Sequence, residues 1–381
     1  VQPASLQPAF SSLSRGDVAR AVSQAAAILD SGGPDLAEVM KFAEKLRSSR
    51  HFQDSIPFFD HVLHHAPDPL EARIGKAKSL CDINDKPAAM IEVDFIKTLT
   101  RDSVEGQVKL IDLLSYMKSY RYADEVIKPL IARNPTSFPL RQRDVLLCIQ
   151  RQKADWTIAA LNEAIDATKM TGVEWSFAAR TYLLVRKPKL AAQAALQAIE
   201  RTEPPALTER LLLAQAYVQY DKSKAVSELN SIAPQFEEGT SKLLQAAELY
   251  LAAGEKGACR AAVGRILAFY KGREMPVTTK VDAARMLGTV DDQEPCHALL
   301  NSIQVDTLKD KQVVKLLHNT AYDFGYFAIA ERAARQGLVL TPFEPQFTTR
   351  LTQITALGLK DRAVEGRSSS PKRRFSLFRR S

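Results

Sequence analysis

Proline recurs in this chain at an interval that leaves few folds open to it. Pro67 in "HHAPDPLEARIGKA" is followed by Pro135 in "ARNPTS" and then by Pro204 in "RTEPPAL", in two nearly equal steps. Halving those steps gives a period of about 34 residues, a length typical of helical repeats. Residues that disfavour helix stand at the midpoints: Asp102 and Ser103 in one gap, Thr171 and Gly172 in the next. Backwards the lattice meets Pro34. Forwards it meets Gly239, then "KGREMP" and Asp306, and closes at Pro342. Pro and Gly are poor in helix interiors, so a regular lattice of them outlines helices between. A fixed period outranks other local signals, because each period is one supersecondary unit. About nine units fit from residue 34 to residue 342.

Each unit holds two apolar stretches of helical spacing separated by a short gap, which predicts a helical hairpin. The first three units superpose. A small or aliphatic residue falls at the eighth place (Ala43, Ala77, Ile111), with a leucine three further on (Leu46, Leu80, Leu114). The second helix carries Ser55, Ala89 and Ala123, then Phe59, Val93 and Ile127, then Val62, Ile96 and Leu130. Small residues let two crossing helices approach, and the larger ones three and four residues on fill the groove between them. The unit from about 138 to 170 fits this register poorly. The one from 206 is shortened around "YDKSKAV", and the one from 273 is degenerate.

These features resemble the tetratricopeptide repeat. "WSFAARTY" carries Trp175, Ala178, Ala179 and Tyr182 at the family's spacing, with Ala191 at the later alanine. A second stretch supplies Ala246, Ala247, Tyr250, Gly254 and Cys259, and a third supplies Gly325, Phe327, Ala330 and Pro342. The resemblance spans about four-fifths of the chain. It implies an all-α, right-handed α-solenoid of about nine hairpins, with a concave groove lined by each unit's first helix. On this reading residues 1–33 are an N-terminal cap or partial repeat, because "GDVARAVSQAAAIL" is similar to a second helix. Residues 34–342 form the repeat solenoid, 343–365 a C-terminal capping helix, and 366–381 a basic tail. Because each unit packs only on its neighbours, residues 1 to about 365 are expected to be one continuous domain.

Composition fits an all-helical water-soluble chain, 45% apolar and 25% charged. No apolar run reaches the length of a membrane span. The N-terminal stretch lacks the basic start and apolar core of a secretory signal, although a start at Val1 leaves room for a preceding segment. Cys81, Cys148, Cys259 and Cys296 are widely spaced, as expected of apolar core residues with reduced thiols, and a cytoplasmic location follows.

Catalytic constellations are scarce. "RIGKAKS" has the Gly-Lys pair of a phosphate-binding loop but lacks its upstream Gly, and Gly75 and Lys76 fall inside a predicted helix. GxGxxG, HExxH and GxSxG patterns do not occur. In "FDHVLHHAP", His61 and His65 share a helix face at a spacing one metal ion could bridge, but helix-end solvation accounts for them more simply. Trp156 and Trp175 read as packing residues. No enzyme activity, cofactor or metal is therefore expected.

The family binds extended peptides or helices of partner proteins in its groove, so the resemblance implies a protein-interaction scaffold or adaptor. First-helix residues expected to face the groove are Arg47, Lys78, Asp112, Tyr116, Arg180, Lys315 and Asn319. Lys315 and Asn319 have the Lys-x-x-x-Asn spacing by which some family members grip a C-terminal carboxylate. The units that should complete that clamp are absent, with only Arg350 one helix on, so the clamp is not carried over. The alternative class is an accessory repeat module of a larger enzyme such as a glycosyltransferase.

The tail is a separate device. Arg367, Lys372, Arg373, Arg374, Arg379 and Arg380 hold six of the chain's eight net positive charges, so the repeat body is nearly neutral. That argues against a nucleic-acid channel along the body. A basic segment attracts polyanions, and disorder is expected of it. Phe375 and Phe378, three residues apart among the arginines, favour an anionic membrane surface over nucleic acid. Nucleic-acid association through the tail is the lesser alternative.

Overall fold

The computed structural model describes residues 5–30, 35–66, 69–237 and 241–362. The basic tail and the lattice points Pro34, Pro67 and Gly239 lie outside them. Among the described residues all regular structure is helical, with 21 α-helices and two short 3₁₀ turns. Two compact units divide the chain, Val1–Glu174 and Trp175–Ser381.

The first unit pairs α1 (Gln7–Ser14) with α2 (Val18–Asp30) and α3 (Leu36–Ser48) with α4 (Phe52–His65). It continues with α5 (Leu70–Asp82) and α6 (Lys86–Leu99), α7 (Val104–Tyr116) and α8 (Tyr120–Arg133), then α9 (Phe138–Gln150) and α10 (Ala154–Ala167). Next come α11 (Gly172–Leu184) and α12 (Pro188–Glu200). In the second unit, α13 (Leu207–Val218) pairs with α14 (Lys222–Ile232), and α15 (Ser241–Ala253) with α16 (Lys256–Phe269). They are followed by α17 (Val277–Thr289) with α18 (Gln293–Asn301), and α19 (Lys311–Asp323) with α20 (Phe327–Leu340). The last helix is α21 (Pro345–Arg362). The repeats read from the sequence correspond to α3 through α20. A further hairpin, α1 and α2, stands where a single partial-repeat helix was read.

Why each first helix stops where it does is visible in the turns. Gly16, Arg50, Asn84, Lys118, Gln152 and Arg186 all have positive φ, and each follows the one before at the same interval, the hairpin period. Gly254 keeps the same phase two periods on, and Asp291 and Gly325 serve the later hairpins. At Arg50, the residue after the left-handed position returns its N–H to the helix, from His51 to the Leu46 carbonyl at 2.9 Å, while Arg50 itself donates to Arg47. The same pair of bonds recurs as Asp85 to Leu80, Ser119 to Leu114 and Tyr326 to Ala321. This double closure satisfies the last carbonyls of the helix and reverses the chain. The hairpin of α13 and α14, which reads as shortened, has no left-handed residue in its turn, and α14 is only 11 residues long. The poorly fitting unit, α9 and α10, nevertheless turns at Gln152 in strict phase.

The sequence register is the packing register. Ala43, Ala77 and Ile111 are buried, as are Leu46, Leu80, Leu114, Ala89, Ala123, Phe59, Val93, Ile127, Val62, Ile96 and Leu130. Ser55 is also fully buried, and its hydroxyl meets that of Ser79 at 2.8 Å. Gly75 belongs to this packing and not to a phosphate loop. A Cβ there would stand inside van der Waals distance of the Phe59 ring, so its absence lets α5 close on α4. In the second unit Ala246, Ala247, Tyr250, Cys259 and Ala330 are likewise in the core.

Candidate partner-binding surface

First helices of successive hairpins touch one another within each unit, α3 to α5 to α7 to α9 in the first and α13 to α15 to α17 to α19 in the second. They therefore make a continuous face, and the repeat places each residue beside the one a full period further on.

In the first unit that face brings together four of the residues read from the sequence. Tyr116 Oη lies 2.7 and 2.6 Å from the two carboxylate oxygens of Asp82 and donates to them. The Lys78 ammonium stands 5.8 Å from the Tyr116 ring centre. Burial, then the Asp82 carboxylate, push the Tyr116 hydroxyl up to about 12, against a smaller opposing effect from the Arg47 charge. Tyr116 is thus a neutral donor at physiological pH. Arg47 pairs with Glu44 at 2.9 Å on its own helix. Asp112 receives a two-pronged contact from Arg143, at 3.1 and 3.2 Å, and Ser115 donates to Gln150. Such pairs on a wet face are each worth only about 0–1 kcal/mol, so their effect is to hold side chains in position.

The second unit repeats the arrangement with different residues. Ser176 donates to Glu209 at 3.0 Å, and Arg285 reaches Glu248 one hairpin back. Arg180 lies in this unit, exposed on α11. Lys315 approaches Glu344 at 3.8 Å. Asn319 Oδ1 accepts from Gln346 at 2.9 Å and from Arg350 at 3.0 Å. The Arg350 guanidinium also covers Tyr322 at 4.5 Å. Asn319 is thereby engaged with the last helix, and Lys315 with the residue just before it.

Asp82, Arg143, Glu44 and Gln150 were missed by the sequence reading. Asp82 was open to discovery, since it precedes Tyr116 by one period. Glu44 and Arg143 have no such simple signal. Trp156 requires a correction: it is 54% exposed on α10, with the Lys153 ammonium 6.0 Å from its ring, and is not a core residue. The side chain is on the outward face of a second helix, where the apolar register does not reach.

The histidines are close but few. His61 and His65 have ring centres 4.5 Å apart, and burial followed by the neighbouring His65 and His64 lowers the pKa of His61. Among the described residues no group of three or more His, Cys, Asp or Glu side chains gathers to hold a metal ion. Lys76 is committed elsewhere, pairing with Asp60 at 2.7 Å and Glu92 at 2.8 Å. The Cys148 and Cys259 thiols are pushed up to about 11 by burial, which favours the protonated form at neutral pH. No described helix is long and apolar enough to cross a membrane.

Hairpins of nearly constant period, a left-handed closing turn in most of them and small residues at the crossing define an all-α array of tetratricopeptide-like repeats. No protein-family model matches the sequence, and neither does any curated protein. Similar solved structures include the C-terminal part of a TPR repeat-containing protein from Cytophaga hutchinsonii. It is 14% identical over 64% of this chain and 98% of that one, with a TM-score of 0.41. A tetratricopeptide repeat protein from Parabacteroides merdae is 15% identical over 65% of this chain and 97% of that one, with a TM-score of 0.37. The repeat assignment stands on the turns and registers of this chain itself.

Proposed function

We propose that this chain is a non-catalytic interaction scaffold whose first-helix faces bind extended segments or helices of partner proteins. The observation that supports this most is the lattice of cross-hairpin contacts on the first unit's face, where Lys78, Asp82 and Tyr116, then Asp112 and Arg143, hold one another in place. A face whose side chains are already ordered loses less entropy when a partner docks. Arg47, Lys78 and Arg180 supply positive charge to these faces, and Asp112 and Tyr116 supply an acceptor and a donor. The test is affinity capture with the intact chain against variants carrying Arg47→Glu, Lys78→Glu and Arg180→Glu. Specific partners are expected to be lost from the variants. If the reversals leave every captured partner unchanged, the reading is wrong.

The tail, outside the described residues, is proposed to attach the scaffold to an anionic membrane surface from the cytoplasmic side. Its six basic residues contribute about 1 kcal/mol each near an anionic leaflet, and Phe375 and Phe378 supply apolar insertion. Phosphorylation at Ser370 or Ser376 would weaken the attachment. Sedimentation with phosphatidylserine vesicles should require residues 367–381. Equal sedimentation by the truncated chain removes the tail from the mechanism.

A further inference from the structure

Between α6, α7 and α8 of the first unit lies a cavity of about 280 Å³. Its lining includes three cations, Lys97, Arg101 and Arg133, with Gln107 at the side and a single carboxylate, Glu125. That carboxylate is already 3.4 Å from Arg121, which is not in the lining.

Several half-buried cations of the unit have carboxylates in hand: Arg73 and Lys76 on Glu92, Lys109 on Glu71, Arg143 on Asp112, Arg151 on Asp124. Lys97, Arg101 and Arg133 are exposed, and among the described residues none of them forms an ion pair. Arg133 spends one donor on the Pro129 carbonyl at 3.3 Å and keeps the others free of carboxylates. The Gln107 amide donates to the Arg101 carbonyl and so ties the segment after α6 to α7. The hydroxyls of Thr98 and Thr100 donate back to carbonyls of α6, so recognition of a ligand falls on the three cations. The C-terminal ends of α6 and α8 stabilise positive charge nearby, and that of α8 takes only the one Arg133 donor.

We propose that this cavity is a binding site for a phosphate group, free or carried as a monoester. Three cations against one shared carboxylate leave an excess of about two positive charges, which a phosphate dianion neutralises and a monocarboxylate does not. Arg101 and Arg133 offer the planar pairs of N–H donors that suit phosphate oxygens, and Lys97 adds a point charge. The volume admits a phosphate with a small organic group attached. This site does not depend on the first-helix face, since it lies among second helices and the start of α7.

Calorimetric titration of the full chain with O-phosphoserine, inorganic phosphate and acetate, in separate runs, tests the proposal. Saturable binding of phosphoserine or phosphate is expected, with acetate at least tenfold weaker. The first two titrants tell a monoester site from one for the free ion. The Arg101→Gln/Arg133→Gln pair should weaken phosphate-group binding at least tenfold with unchanged helical circular dichroism. If that pair unfolds, the single Arg101→Glu reversal serves in its place and should abolish binding. Absence of saturable binding, equal binding of acetate, or undiminished binding by a folded variant overturns the site.

Discussion

At Gln152 and Lys118 the backbone holds a left-handed conformation that an L side chain resists, both with φ of 57°. The cost is about 1–2 kcal/mol per residue, part of which glycine recovers. Glycine's greater freedom in the unfolded chain offsets part of this relief, so Gln152→Gly and Lys118→Gly should each raise stability by a net of about 0.5–1 kcal/mol, read as a higher urea midpoint. Asn84→Gly should give less, since Asn tolerates this region. A different residue, His318, occupies the small-residue place of its hairpin. It is fully buried, its Nδ1 meets the Ala330 carbonyl at 2.9 Å, and its Nε2 has no partner. Phe347 stands edge-on to it at 5.4 Å. Burial lowers its pKa from the ordinary 6.5, the Ala330 carbonyl opposes this, Arg350 adds to it and Asp323 resists. The unfolded chain therefore binds the proton more readily, and stability rises with pH in this window. The contribution is complete above about pH 6.5 and is lost as pH falls from there towards the folded value. Thermal melts between pH 7.5 and 5 should show this loss, and His318→Asn should flatten it.

Between elements, the strongest polar joint ties α4, α5 and α6. Glu92 is 5% exposed and accepts from Arg73 at 2.7 Å and Lys76 at 2.8 Å, while Lys76 also reaches Asp60. Removing one partner of a covered ion network strands the others, so Glu92→Ala should destabilise by about 3 kcal/mol in chemical denaturation. The helix contact at Gly75 is purely steric. Gly75→Ala adds a methyl where the Phe59 ring lies and should cost about 1–3 kcal/mol. How far these joints could be read differs by their physics. Ala77, Leu80 and Ala89 were legible because burial repeats with the hairpin period and composition follows burial. Glu92 was not. It sits beside Val93 in a helix whose apolar pattern is intact, and only its partners on α5 explain a carboxylate in the core.

Within each unit, contacts run from a helix to its next neighbours, so a disturbance should fade with distance along the unit. A Cβ at Gly337 would overlap the Phe347 ring. Gly337→Val is thus expected to speed hydrogen exchange in α20 and α21 while leaving α13 and α14, in the same unit, within experimental error of the parent. Equal loss of protection throughout would show a single cooperative block. The sequence by itself determined the period, the hairpin and the buried register, because each depends on residues within one unit or on its repetition. The closing turns show how far that reach extends: their phase was regular, yet Arg50, Lys118, Gln152 and Arg186 carry no chemical mark of a left-handed backbone. Only the tertiary structure decided which polar groups meet. The pairing of Asp112 with Arg143 and the gathering of Lys97, Arg101 and Arg133 around one cavity depend on how successive hairpins stack. Exposed polar side chains contribute too little to folding for the repeat pattern to encode their partners.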